Sequence, residues 1–196
     1  MYLDLHAHAG KKGCFIYGNH FEDLEEKASA MLFAKLLSMN TMNFDFEECN
    51  FTQKLMSVKD KNNSEQSREG AGRVAIHKDC GKLKYCYTLE CNYAGGRILN
   101  RLNEAYDAIN NKIIPNSDPL TNYNSIFYST KNIASEAYFN SHIYWDVGRA
   151  CMISLLDMIN KNPISRVMNS VYKGEVELIK DDIIKYLISI PDLAII

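Results

Sequence analysis

None of the six cysteines (Cys14, Cys49, Cys80, Cys86, Cys91, Cys151) belongs to a C-x-x-C pair, and their spacing is not that of a small disulfide-stapled domain. Reduced, partly buried thiols of a cytosolic protein are expected instead. No run approaches about 18 consecutive apolar residues, which leaves no candidate for a membrane-spanning helix. The first residues lack the basic-then-apolar layout of a secretory leader. A formal net charge of −2 gives no pull towards nucleic acid or a membrane surface, and there is no internal repeat. Histidine is scarce as well. Three residues after His6, His8, His20, His77 and His142 stand Ala9, Lys11, Asp23, Cys80 and Trp145, so the chain carries no H-x-x-E pair.

What is present is enough for one core. With 196 residues and 46% hydrophobic content, the chain is expected to fold as a single domain. Its most telling segment comes first: Asp4-Leu5-His6-Ala7-His8 reads as a short strand. Alternation along a strand puts Asp4, His6 and His8 on one face and Leu3, Leu5 and Ala7 on the other. Such a face can offer a neutral imidazole to zinc while the apolar face packs. Zinc in a catalytic site takes about three protein ligands, so one strand does not complete the site.

Residues 3–8 and 14–17 are expected as two short strands around a Lys11-Lys12-Gly13 turn. An amphipathic helix over 22–39 follows, with Leu24, Ala28, Met31, Leu32, Leu36 and Met39 as its stripe and four early acids on its N-terminal dipole. Between 52 and 84, eight basic residues face four acidic ones. That stretch reads either as a solvated loop or as a rim attracting an acidic substrate. Residues 84–92 look like a strand ending at Gly95-Gly96. The Asn-rich stretch 98–134 is expected as a surface excursion, followed by a helix over 137–161 that Pro163 ends. The 164–196 tail offers one more amphipathic helix at 171–190.

Taken alone, the D-L-H-A-H run also resembles the first strand of amidohydrolase-type barrels. Those draw more metal ligands from later strands, and the chain lacks their regular strand–helix alternation. Four segments together resemble a different family: residues 4–19 (DLHAHAGKKGCFIYGN), 68–76 (REGAGRVAI), 85–93 (YCYTLECNY) and 147–163 (VGRACMISLLDMINKNP) are similar to cytosolic carboxypeptidases, zinc enzymes that trim glutamates from tubulin and other proteins. The resemblance implies an α/β fold over 1–163: the C-terminal part of a zinc-carboxypeptidase domain, a mixed β-sheet flanked by helices and incomplete at its N-terminal side.

By that resemblance His6 is a zinc ligand, His8 a pocket residue that does not bind the metal, and Glu90 the catalytic carboxylate. A positive group must also hold an acidic product side chain, since a carboxylate buried without a partner is strongly penalised. Arg73, after Gly70-Ala71-Gly72, is the candidate because guanidinium grips carboxylate bidentately and glycines permit close approach. Arg68, Lys11 and Lys12 are weaker candidates. The implied cofactor is one Zn2+ ion with further ligands upstream of this chain. The implied partners are glutamylated protein C-termini or side chains and tubulin or microtubules, in the cytoplasm, with no nucleic acid and no membrane.

The missing H-x-x-E leaves three readings. The chain is a fragment of a working deglutamylase, inactive alone; a catalytically dead remnant that keeps tubulin binding; or one half of a site that a second polypeptide completes. As a fragment it is expected to expose apolar sheet surface and to be poorly soluble or molten.

Overall fold

The computed structural model describes residues 1–57, 59–60, 63–67, 72–116 and 136–190. In chain order its elements are β1 (Tyr2–His8), β2 (Cys14–Tyr17), α1 (Leu24–Asn40), α2 (Gln53–Ser57), β3 (Lys59–Asp60), β4 (Asn63–Ser67), α3 (Gly72–Asp79) and β5 (Cys86–Asn92). They continue as β6 (Gly95–Arg97), β7 (Ala105–Asp107), β8 (Lys112–Ile114), β9 (Glu136–Tyr138), α4 (Ser141–Met158), β10 (Ile164–Ser165) and α5 (Val176–Ser189). The architecture is mixed α/β, with small sheets and helices.

The principal sheet has three strands in the order β1-β5-β2. The two N-terminal strands form as expected, but they are not hydrogen-bonded to each other. β5 lies between them, parallel to β1 and antiparallel to β2. Its Tyr87 and Leu89 are buried on the face that meets α1, consistent with a central strand covered on both sides. The Tyr87 hydroxyl donates to the Ala30 carbonyl at 2.7 Å, and the Phe33 ring stacks on Tyr87 at 5.3 Å.

Asp23 caps α1, its carboxylate accepting from the Glu26 N–H at 2.9 Å. This helix is buried more widely than a single stripe requires. Ala30, Phe33, Ala34 and Leu37 are fully covered besides Ala28, Met31, Leu32 and Leu36. The reason is position: Tyr87 of β5 packs against one side of α1, and α4 and α5 pack against it as well. Alanines at 28, 30 and 34 permit that close approach. The far end of α1 is tied to α4 by polar contacts, with Asn40 Nδ2 donating to Asp157 Oδ2 at 2.8 Å and Thr41 Oγ1 to Asp146 Oδ2 at 2.6 Å.

Asn140 caps α4, accepting from the His142 and Ile143 N–H groups. In the tail, α5 lays Val176, Ile179, Ile183 and Leu187 into the core. Residues 98–116 are anchored to the body. β7 and β8 form a hairpin joined by β10, and Ile98, Leu102, Ala105 and Ile114 are buried. The remainder of the Asn-rich stretch, 117–135, lies outside the described residues. At the outer edge of the sheet β1 pairs only with β5 among the described residues, and Leu5, on the face that α1 covers at β5, is 71% exposed. No helix among the described residues is long and apolar enough to cross a membrane.

Candidate functional site

The face of the sheet turned away from α1 collects the polar residues of three strands. Alternation and register place Asp4, His6 and His8 of β1 beside Thr88, Glu90 and Asn92 of β5. On the other side of β5, Phe15 pairs with Glu90 and Tyr17 with Thr88. Glu90 therefore stands between His6 and Phe15. It is 8% exposed, and its Oε2 has no hydrogen-bond partner among the described residues. Burial raises its pKa, outweighing the opposite pull of His6, His8 and Arg73. A carboxylate so placed is poised to take up a proton.

The two imidazoles of β1 are held differently. His6 Nε2 lies 3.0 Å from Asp4 Oδ2, which makes Nε2 the protonated nitrogen and leaves the Nδ1 lone pair open. His8 Nδ1 instead accepts the Lys11 N–H at 2.8 Å, and its ring meets the edge of Phe15 at 5.5 Å. Its lone pair is used by the backbone. The chemistry of the two rings thus separates one that can offer a lone pair to a metal from one that can only donate through Nε2. The turn after His8 is fixed by Asn92, whose Nδ2 donates to the carbonyls of His8 (3.0 Å) and Lys11 (2.8 Å).

Arg73 does not sit in a glycine turn. It lies in the first turn of α3, which packs on β1 and β5, so this part of the basic stretch is a helix and not a loop. The guanidinium lies 5.9 Å from the Tyr17 ring centroid, and the residue is 4% exposed. Asn19 Nδ2 donates to the Arg73 carbonyl at 3.1 Å, tying α3 to the exit of β2. Gly72 serves a close approach within the fold: a Cβ there would lie 2.5 Å from the Tyr2 hydroxyl oxygen and 3.8 Å from Asp4 Oδ2. Arg68, Gly70 and Ala71 lie outside the described residues. Lys11 is paired with Glu48 at 2.5 Å, and its Nζ lies 4.6 Å from the Phe15 ring centroid.

The face therefore brings His6, His8, Glu90 and Arg73 together. Asp4, placed on this face by alternation, supports them together with Tyr17, Asn19 and Asn92, which the sequence did not single out. The i, i+2 spacing of Phe15 and Tyr17 is the signal that could have found one of those three. No three side chains among the described His, Cys, Asp and Glu residues converge in a metal-binding group. His77 is engaged elsewhere, its Nδ1 on the Leu83 carbonyl at 3.0 Å. One open imidazole lone pair does not make a zinc site, so the residues present here do not by themselves fit the ion.

A buried carboxyl thus stands beside a half-exposed imidazole, with a guanidinium over the same sheet, in an α/β scaffold. The chain is 40% identical over 177 residues to cytosolic carboxypeptidase-like protein 5 of Danio rerio, a stretch that is 90% of this chain and 18% of that protein. Its human counterpart is 39% identical over 173 residues, 88% of this chain and 18% of the relative. Human cytosolic carboxypeptidase 6 is 33% identical over 92 residues, 47% of this chain and 16% of that protein. By sequence the chain is similar to a short stretch of the cytosolic carboxypeptidases. It spans under a fifth of the length of these curated relatives. No family model matches the chain.

Proposed function

We propose that this chain forms one portion of a zinc metallocarboxypeptidase site that removes glutamate from polyglutamylated proteins such as tubulin. Glu90 accepts the proton of the attacking water and passes it to the leaving amine. His6 is one ligand of the ion, and the others belong to an H-x-x-E segment that this chain does not contain. Arg73 recognises the carboxylate of the glutamate, and His8 shapes the pocket through Nε2. On this reading the protein works in the cytoplasm, near microtubules, and the chain alone is inactive.

The observation that carries the proposal is Glu90 itself, a carboxyl more than nine-tenths buried, unpartnered at Oε2 and directly opposite His6. Packing gives no reason for such a group, because an unsatisfied buried carboxylate is costly. The test is a chimaera in which this chain replaces the matching stretch of human cytosolic carboxypeptidase-like protein 5. Glutamate release from a glutamylated peptide should survive the replacement. Glu90→Gln in the chimaera should lower it by roughly 10²- to 10⁴-fold with zinc content unchanged. Undiminished turnover would remove Glu90 from the chemistry. The second reading is a catalytically dead tubulin-binding remnant, which the lack of a three-donor metal group among the described residues fits equally. Microtubule co-sedimentation of the chain, with an inactive chimaera, would establish it.

A further inference from the structure

On the opposite face of the same sheet, away from the Glu90 site, three thiols approach one another where β2, β5 and α4 meet. Cys14 and Cys91 are directly opposed in the antiparallel register of β2 and β5. The neighbouring Gly13–Asn92 pair is hydrogen-bonded, Asn92 N–H donating to the Gly13 carbonyl at 2.9 Å. The Cys14 carbonyl turns the other way, accepting from the Asp45 N–H at 2.7 Å. Cys14–Cys91 is therefore a non-hydrogen-bonded pair, the kind in which Cα atoms stand about 4.5 Å apart and side chains are closest. That separation lies within the range a disulfide spans without backbone movement, about 4.4–6.8 Å.

The two thiols are chemically unequal. Cys14 is fully buried and hydrogen-bonded to the Cys91 sulfur, which pushes the Cys14 pKa well up and draws the Cys91 pKa down. Cys91 is only partly buried. Cys151, on α4, is buried nearby, and burial raises its thiol to about 12. All three are free thiols in this structure. The thiolate is the reactive form, and accessibility adds to it, so Cys91 is the one that meets an oxidant.

We propose that Cys14 and Cys91 form a reversible dithiol–disulfide site, closed by hydrogen peroxide, that cross-links β2 to β5. The Cys91 thiolate attacks one peroxide oxygen and breaks the O–O bond. This gives a sulfenic acid and a hydroxide, which leaves as water with the proton that Cys91 released. The Cys14 sulfur then attacks the sulfenic sulfur. The S–S bond forms, the S–O bond breaks, and the hydroxide leaves with the Cys14 proton as a second water. Two thiols are oxidised by two electrons and one peroxide is reduced to two waters. Because Cys14 precedes Phe15 and Cys91 follows Glu90 in the antiparallel ladder, the bond fixes the rung next to the Phe15–Glu90 pair on one side.

The experiment is peptide mapping, under non-reducing conditions, of the folded, fully reduced chain after addition of about one equivalent of hydrogen peroxide. The expected result is loss of two of the six thiols to alkylation, with a Cys14–Cys91 linked peptide that dithiothreitol dissolves. In Cys14→Ser the same treatment should leave Cys91 as a sulfenic acid that dimedone labels, and in Cys91→Ser no linked peptide should form. A dominant link from Cys91 to Cys151, or retention of all six thiols, would overturn the proposal. The mapping uses the unsubstituted chain, so its outcome does not depend on how well either variant folds.

Discussion

His6 and Glu90 face each other across adjacent parallel strands, far apart in the chain yet opposite in register. One is half exposed, its side chain 53% open to solvent, and the other is more than nine-tenths buried. Glu90 thus carries the desolvation cost of the pair, while His6 remains reachable. A stabilising arrangement would reverse this, with the ionisable group outside and an apolar side chain beneath it.

The first prediction follows from that cost. Burial holds the Glu90 pKa above its ordinary 4.5, so between that value and the raised one the folded chain binds more protons than the unfolded chain. Stability contributed by this group is greatest below about pH 4.5 and falls as pH rises through the window. Glu90→Gln removes the titration. The variant should therefore melt higher than the unsubstituted chain at pH 7.5, and the two curves should converge as pH is lowered towards 4.5. Thermal melts across that range check it, and a variant less stable at pH 7.5 would contradict the assignment of an uncompensated carboxylate.

A second prediction concerns metal. A site that held zinc at a hundred times its dissociation constant would stabilise the fold by about 2.7 kcal/mol. The described residues present one open imidazole lone pair and no converging third donor. Zinc at micromolar excess, or its removal by a chelator, should therefore leave the melting temperature of this chain unchanged. A zinc-dependent rise of several degrees, abolished by His6→Ala, would show that the chain completes a site on its own.

Most of the local structure is legible in the sequence. The alternation of Asp4, His6 and His8 marks β1, and Asp23 with its trailing acids marks the start of α1. Strand order is not legible, because the insertion of β5 between β1 and β2 depends on pairing across some seventy residues of chain, for which no local pattern exists. Arg73 is found for its charge but misplaced in a turn. The glycines at 70 and 72 obscure a helix whose buried face, Arg73, Val74 and His77, repeats at helical spacing. Asn19 and Asn92 escape notice because an asparagine near a strand end reads as a turn former, and only the folded chain reveals which carbonyls it satisfies.

The third prediction tests why Gly72 is a glycine. A methyl group there would press on the Tyr2 hydroxyl, the far end of a partly exposed side chain that can turn aside at small cost. Alanine in a helix returns up to about 1 kcal/mol, so Gly72→Ala should shift stability by no more than about 1 kcal/mol. In a Tyr2→Ala background the obstacle is gone and the same substitution should be neutral or stabilising. A double-mutant cycle measures this. Additive effects would mean that the Tyr2 hydroxyl turns aside at no cost.

The last prediction concerns the strut behind the sheet. Asp157 of α4 is 3% exposed and accepts from Asn40 Nδ2 (2.8 Å), Asn162 Nδ2 (2.8 Å) and Ser165 Oγ (2.6 Å). Asn40 keeps other partners, the Leu36 carbonyl and Ser154 Oγ, if the carboxylate is removed. The Ser165 hydroxyl and Asn162 Nδ2 have no second acceptor among the described residues, although Ser165 Oγ still accepts from the Val167 N–H and Asn162 Oδ1 from the Ile164 N–H. Hydrogen bonds to a charged group contribute about 1.5–3 kcal/mol each, so Asp157→Ala should cost roughly 3 kcal/mol or more. For a chain of this size that is about 6–12 °C in melting temperature. The damage should also be uneven. Hydrogen exchange should accelerate first at Ile164–Ser165 and at the paired Ala105–Asp107, which Asp157 joins to α4, and least in β5, which α1 holds independently. A loss below about 1 kcal/mol, or exchange rising equally in β5, would mean that the β7–β8–β10 sheet is held by its apolar contacts and not by this carboxylate.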